Sequence, residues 1–200
     1  MTNFKNYIKL NTYLKDPFEV ATKHLLGAYL CSEIEGKFTA GKITELEVYL
    51  GDCDKACHAY PNKITPRNKV MFNQGGCSYI FFVYGMYNQF NVVVSPQGEG
   101  NAILIRSLEP ISGLDIMMER RKTDNIKNLT TGPGKLCQAL GITSKEHNGL
   151  ILNQSPLWLA QNNSAPEYIS AKRIGIDYAE EYKDKLWRFY IKDNPYISKK

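Results

Sequence analysis

Apolar positions in this chain recur mostly at period two, the spacing of strands, and only briefly at helical spacing. Residues 1–15 follow neither pattern and are expected to form a loose N-terminal arm. Asp16-Pro17 then reads as an N-cap and first helical position, and Val20, Ala21, Leu25 and Leu26 give one apolar helix face that ends at Gly27. Strands are expected over 28–34 and 37–50, joined by a turn at Glu35-Gly36, before a turn-rich segment over 51–76. Residues 79–84 and 87–94 form two further strands. Gly85-Met86 between them suits a two-residue type II′ loop, with Tyr84 opposite Tyr87. A strand over 102–108 is stopped by Glu109-Pro110. Ser112 with Asp115 resembles a capping box for a helix to about Arg121, and another helix starts near Pro133. The remainder reads as short strands around Ile151, Trp158, Ile174 and Phe189. Strands in series, with no βα alternation and no linker, predict a single α+β domain over 16–200 with a mostly antiparallel sheet.

Composition excludes several classes. With 43% hydrophobic residues and a net charge of +5 over 200 residues, the chain is too apolar to be disordered. Five cysteines at irregular spacing (Cys31, Cys53, Cys57, Cys77, Cys137), behind an N-terminus without a signal-peptide pattern, are expected as free thiols in a cytoplasmic protein. No apolar run is long enough to span a membrane. Cys53, Cys57 and His58 lack the spacing of a haem or zinc site, so no metal is expected.

The charge is unevenly distributed. Residues 55–98 contain no Asp or Glu but do contain Lys55, Lys63, Arg67 and Lys69. Within that stretch, Tyr79, Phe81, Phe82, Tyr84, Tyr87 and Phe90 crowd into one hairpin. Cations hold phosphates and rings stack on bases, so this composition fits nucleic acid; an ordinary loop beside a core hairpin would read the same way. Large side chains at Tyr84, Met86 and Tyr87 surround a tight turn, where they either dock onto a partner, as a wedge between base pairs does, or tuck into the core. In the strand over 43–50, Leu46, Val48 and Leu50 share one face and Glu45, Glu47 and Tyr49 the other. The polar face is either solvated or lines a pocket in which a carboxylate activates water beside a stacking ring. Arg106, alone in an apolar strand, either reaches solvent or pairs with Glu47 or Glu45. Gly132-Pro133-Gly134-Lys135-Leu136 is not a nucleotide-triphosphate loop, because Leu136 replaces the required Ser or Thr; it is a phosphate contact or a plain helix start.

Taken in order, these segments resemble the alkyladenine (3-methyladenine) DNA glycosylases of the vertebrate and bacterial type, which are distinct from the helix-hairpin-helix glycosylases. The match runs from about Asp16 to Ile197. It is carried by Glu45-Leu46-Glu47-Val48-Tyr49-Leu50-Gly51, His58 and Thr65-Pro66-Arg67-Asn68, then by Tyr84-Gly85-Met86-Tyr87 with Asn91 and by Leu104-Ile105-Arg106-Ser107-Leu108-Glu109-Pro110. Gly132-Pro133-Gly134-Lys135-Leu136-Cys137-Gln138-Ala139-Leu140, Arg173-Ile174-Gly175-Ile176 and Arg188-Phe189-Tyr190 complete it.

The resemblance implies a compact α+β domain with a curved, mostly antiparallel sheet, flanking helices and a protruding β-hairpin that enters the DNA minor groove. It implies that Tyr84, with Met86 at the same tip, fills the gap left by an extruded nucleotide. Tyr49 would stack on one face of the flipped base, with His58 and Phe81 on the other, where the family often has Tyr in place of Phe81. Asn91 would screen against the guanine 2-amino group. Glu47 would act as general base, with Arg106 and a backbone carbonyl near Ile174 positioning the water. Lys63, Thr65, Arg67 and Lys135 would contact phosphates. The implied reaction is hydrolysis of the N-glycosidic bond of alkylated or deaminated purines in double-stranded DNA, by a monomer, without strand cleavage or cofactor. A non-catalytic nucleic-acid-binding domain and a hydrolase of free nucleosides are the competing readings. One conflict remains at this stage: a two-residue hairpin pairs Phe81 with Phe90 and Asn91 with Ile80, which points Phe81 and Asn91 to opposite faces.

Overall fold

The computed structural model describes residues 3–83, 85–162 and 165–199. Its centre is one long strand. After β1 (Tyr29–Ile34), the chain turns at Glu35-Gly36 into β2 (Lys37–Tyr49). The aromatic hairpin consists of β3 (Ser78–Val83) and β4 (Tyr87–Val94), and β5 (Asn101–Ser112) returns beside β2. Four short strands follow: β6 (Asn153–Gln154), β7 (Leu157–Ala160), β8 (Tyr168–Ala171) and β9 (Arg188–Ile191). The sheet runs β3-β4-β5-β2-β1-β7-β6 with every pairing antiparallel, as the alternating pattern predicts. One edge of β2 is shared: residues 37–42 pair with β1 and residues 45–47 with β9, while β5 lies along the other edge.

Besides a shift between Ala40 and Gly41, the β2–β5 register contains two offsetting irregularities. Ile43 faces Leu108 and Glu45 faces Ser107, so Thr44 is an extra residue on β2. Leu46 then faces Ile105, which makes Arg106 the extra residue on β5 and restores the register. Such bulges re-aim side chains and are common beside active sites.

The core lies on the inner face of this curved sheet. Leu46 and Val48 from β2, Ile103 and Ile105 from β5, and Phe90 and Val92 from β4 bury against helical elements. Asp16 caps α1 (Pro17–Glu19) by accepting from the Phe18 and Glu19 amides, as expected. The helix then widens into a π-turn over Val20–Leu25 that places Val20, Ala21 and Leu25 in the core. α2 (Leu114–Arg121) starts from Gly113 at φ 71° with no side-chain cap, because Ser112 is still in β5 and is not available as the expected capping residue. α3 (Pro133–Leu140) begins where the Gly-Pro signal places it, and a short α4 (Ser144–His147) was not expected.

Other differences have local causes. β5 continues past Glu109-Pro110, since Pro110 sits beyond the residues that pair with β4, where a missing N–H breaks no ladder on that side. Ile151 makes only an isolated bridge, to Cys77, and Ile174 lies in the loop after β8. Part of the expected loose arm is packed: Ile8 and Tyr13 are fully buried, and Tyr7 bridges to Ala160. Their large apolar side chains cover one end of the core, a signal too sparse to show as periodicity.

The hairpin conflict resolves through loop length. Val83 pairs with Tyr87, Phe81 with Gln89 and Tyr79 with Asn91, which leaves three residues between the strands. Gly85 takes φ 66°, a conformation open to glycine, one place later in the turn than a type II′ loop requires. The odd loop shifts every pairing by one, so Phe81 and Asn91 share a face. Phe90, opposite Ile80, points into the core and is fully buried. Truncating it in Phe90→Ala should cost about 3–5 kcal/mol of stability. Urea unfolding checks this: a midpoint unchanged from wild type would show that the hairpin does not contribute to the core.

Candidate active site

On the sheet face opposite the core, the hairpin, the turn-rich segment 51–76 and the loop after β8 enclose a cavity of about 550 Å³. Its walls include Tyr49 from β2, His58 and Arg67 from the turn-rich segment, Phe81 and Asn91 from the two strands of the hairpin, and Arg106 from β5. None of the lining residues is Asp or Glu.

The acid lies just behind the wall. Glu47 is fully buried, and three of the donors around it are Tyr49, Arg106 and Ile174. The Tyr49 hydroxyl donates to Oε2 at 2.7 Å, Arg106 Nη1 to the same oxygen at 3.2 Å, and the Ile174 backbone N–H to Oε1 at 2.8 Å. All three of these residues line the cavity. At Ile174 the group seen at the carboxylate is the backbone N–H, not the carbonyl that was expected to position a water.

Arg106 also donates through Nε to Glu45 at 3.1 Å, which decides between the two expectations: it pairs with both acids and does not reach solvent. Its place as the bulged residue of β5 lets it span both carboxylates. Burial works against its charge, but Glu47 and Glu45 outweigh burial and raise its pKa on balance. Glu45 is further held by Arg188 Nη1 at 3.0 Å and by Ser198, whose Oγ donates at 2.9 Å and whose N–H also donates. Arg106 Nη2 in turn reaches Ser198 Oγ at 3.3 Å, and Arg188 reaches the Lys199 carbonyl at 2.9 Å. The end of the chain thus closes over the buried charges.

Tyr49 is fixed from beneath as well. The Arg173 guanidinium lies 4.6 Å from its ring centre. Arg173 forms a fork with Asp54, donating Nη2 to Oδ1 at 2.8 Å, and also donates to the Val48 carbonyl at 2.9 Å. Burial, and then the charge and hydrogen bond of Glu47, push the Tyr49 pKa well above its ordinary value, so its hydroxyl stays protonated and donates.

Across the cavity, the His58 and Phe81 rings stack at 3.8 Å between centres, and His58 Nδ1 lies 3.2 Å from the Tyr79 hydroxyl. His58 is at the cavity mouth. Crowding by its neighbours, and then the nearby Arg67 charge, bring its pKa down to about 4. Asn91 is buried and uses its amide nitrogen on the Tyr79 and Gln89 carbonyls, at 3.0 and 3.2 Å.

At the hairpin tip, Met86 is 67% exposed, and Phe82 and Tyr87 are exposed beside it. Tyr84 lies outside the described residues. Gly134 in the first turn of α3 sits where an added Cβ would meet the Tyr87 ring at 3.0 Å, which packs the helix start against the hairpin. Lys135 on that turn hydrogen-bonds Asn128. Lys63 is exposed, and Thr65 is partly exposed and receives the Asn68 amide on its hydroxyl at 3.3 Å. Arg67 is exposed too, but it also lines the cavity.

Asp54, Arg173, Arg188 and Ser198 were not expected at the site. Arg188 carried a signal, a lone charge among apolar residues, whereas Arg173 follows Lys172 and carried none; the partners of both lie far away in sequence. Cys57, close to His58, is buried, and burial pushes its thiol up to about 12. Among the described residues, no three His, Cys, Asp or Glu side chains converge as metal ligands. Asp54→Ala would leave Arg173 buried without a counter-charge and should cost about 3–5 kcal/mol. Thermal unfolding of the variant measures this, and a loss well under 1 kcal/mol would show that the pair is not buried in solution.

Comparison with known proteins gives a consistent result. The family model described as "Methylpurine-DNA glycosylase (MPG)" matches residues 11–195. The chain is similar to proteins named "Putative 3-methyladenine DNA glycosylase" in several bacteria. It is 47% identical to that of Clostridium novyi (strain NT), over 94% of this chain and 96% of the relative. It is 45% identical to that of Clostridium tetani (strain Massachusetts / E88), over 96% and 99%. It is 46% identical to that of Chlamydia felis (strain Fe/C-56), over 90% and 93%.

Proposed function

This chain belongs to the methylpurine-DNA glycosylase family and is a DNA glycosylase for alkylated bases, and from that premise we propose how its residues release the base. A purine turned out of the duplex enters the cavity and stacks on Tyr49, with the His58 and Phe81 side opposite. Asn91 reads its edge: with its amide nitrogen on two carbonyls, the side-chain oxygen is the atom that faces a ligand. Tyr84 and Met86 take the vacated place in the helix, and Lys63, Thr65 and Lys135 hold the backbone phosphates.

The observation that carries the chemical step is the set of donors on Glu47. A carboxylate has about four acceptor positions, two on each oxygen. Oε2 receives both Tyr49 and Arg106, and Oε1 receives Ile174, so these three donors leave one acceptor position on Oε1. A water bound there can pass a proton to Glu47 as it attacks the sugar C1′, and the carboxylate charge stabilises the oxocarbenium-like sugar. A 3- or 7-alkylated purine is already cationic and leaves readily. With water as the nucleophile, the products are free base and an intact strand carrying an abasic site.

The test is base release from methylated duplex DNA. Glu47→Gln should keep duplex binding and lose base release by about 10²–10⁴-fold. Tyr84→Ala should weaken release from duplex DNA far more than release from single strands, where no stack needs holding open. If Glu47→Gln releases base at the wild-type rate, the carboxylate is not the base.

A further inference from the structure

Phe81 shows why Arg67 is not simply one more phosphate contact. The His58 ring centre lies 3.8 Å from the Phe81 centre at a 33° tilt, so His58 covers one face. The Arg67 guanidinium carbon lies 4.1 Å from the same centre. Two flat groups this close to one ring centre cannot share its face, so Phe81 is sandwiched between them and offers the cavity its edge. Arg67 is anchored there: its Nη2 donates to the Phe82 carbonyl at 2.8 Å. Among the described residues no carboxylate pairs with Arg67, whereas Arg106, the other cavity arginine, is matched by two acids. The wall that faces Tyr49 therefore carries, at its exposed rim, a positive charge with no carboxylate partner among the described residues.

We propose that Arg67 is a specificity-determining residue of the lesion cavity, disfavouring cationic alkylpurines and favouring neutral purine lesions with an acceptor on the edge turned towards it. This rests on the glycosylase reading above. The charge on 3- or 7-methylated purines helps the base leave, but it meets like charge on this wall. A neutral base such as hypoxanthine offers oxygen and nitrogen acceptors to the guanidinium and lies flat on Tyr49 without repulsion. The cationic family of lesions gains in the bond-breaking step what it loses in binding, so Arg67 narrows the gap between the two classes.

The experiment compares release of 7-methylguanine and hypoxanthine from duplex DNA by wild type, Arg67→Met and Arg67→Lys. Arg67→Met should shift the kcat/KM ratio by about tenfold towards the cationic base. Arg67→Lys, which keeps the charge, should stay near the wild-type ratio. The titration of His58, followed by NMR in the absence of DNA, is a second readout. The groups shown against the His58 ring are Arg67, the Tyr79 hydroxyl and the Phe81 ring, and of these only Arg67 is charged at neutral pH. Its pKa should rise in Arg67→Met. An equal loss for both bases with a shallower salt dependence would make Arg67 a phosphate contact and overturn the proposal, as would an unmoved His58 titration. If wild type released neither base while His58 still responded to Arg67→Met, the glycosylase mechanism would be wrong and the placement of Arg67 right; the specificity role would then fall with the mechanism.

Discussion

The site depends on one guanidinium. Arg106 is the only bulged residue of β5 opposite the middle of β2, and it holds two buried carboxylates that would otherwise repel each other. Two acids on one strand face, both without solvent, are tolerable only with matched cations and full hydrogen bonding. The remaining partners follow from that requirement. Arg188 and Ser198 complete Glu45, while Tyr49 and Ile174 complete Glu47. One carboxylate is thereby fully occupied with structure, which leaves the other to face the cavity lining.

A second constraint is the pairing of each aromatic wall with an arginine. Arg173 underlies Tyr49 and Arg67 caps Phe81. The two cations differ in context. Arg173 is neutralised by Asp54 and is buried, so it stiffens Tyr49 with little field in the cavity. Arg67 has no such partner among the described residues, and its field reaches His58. Similar contacts thus do different work according to whether a carboxylate is nearby.

Much of this was legible in the sequence because it is local. The period-two pattern of 43–50 put Glu45, Glu47 and Tyr49 on one face, and the structure places them there, with Leu46 and Val48 in the core. The Asp16-Pro17 start and the hairpin strands were equally readable. What was hidden is set by pairing. A loop of two or three residues looks the same in composition, yet only the odd length puts Phe81 and Asn91 together. The bulges at Thr44 and Arg106 cancel, so they leave no trace in the hydrophobic pattern. Arg188 was visible as an odd charge and Arg173 was not, and Asp54 and Ser198 could be assigned to Arg173 and to Glu45 only once the chain was folded.

The closure of the acid cluster by the tail has a consequence for how the molecule comes into being. Ser198 meets Glu45 across 153 positions of sequence, and Arg188 does so across 143. The aromatic hairpin and the basic loop, by contrast, lie wholly within the first half of the chain. On a ribosome, the hairpin and the basic loop are therefore made well before Arg188 and Ser198, which hold Glu45 in place. A nascent chain thus acquires its aromatic hairpin before the residues that pair with Glu45. The buried acid cluster is therefore complete only once Arg188 and Ser198 have joined it.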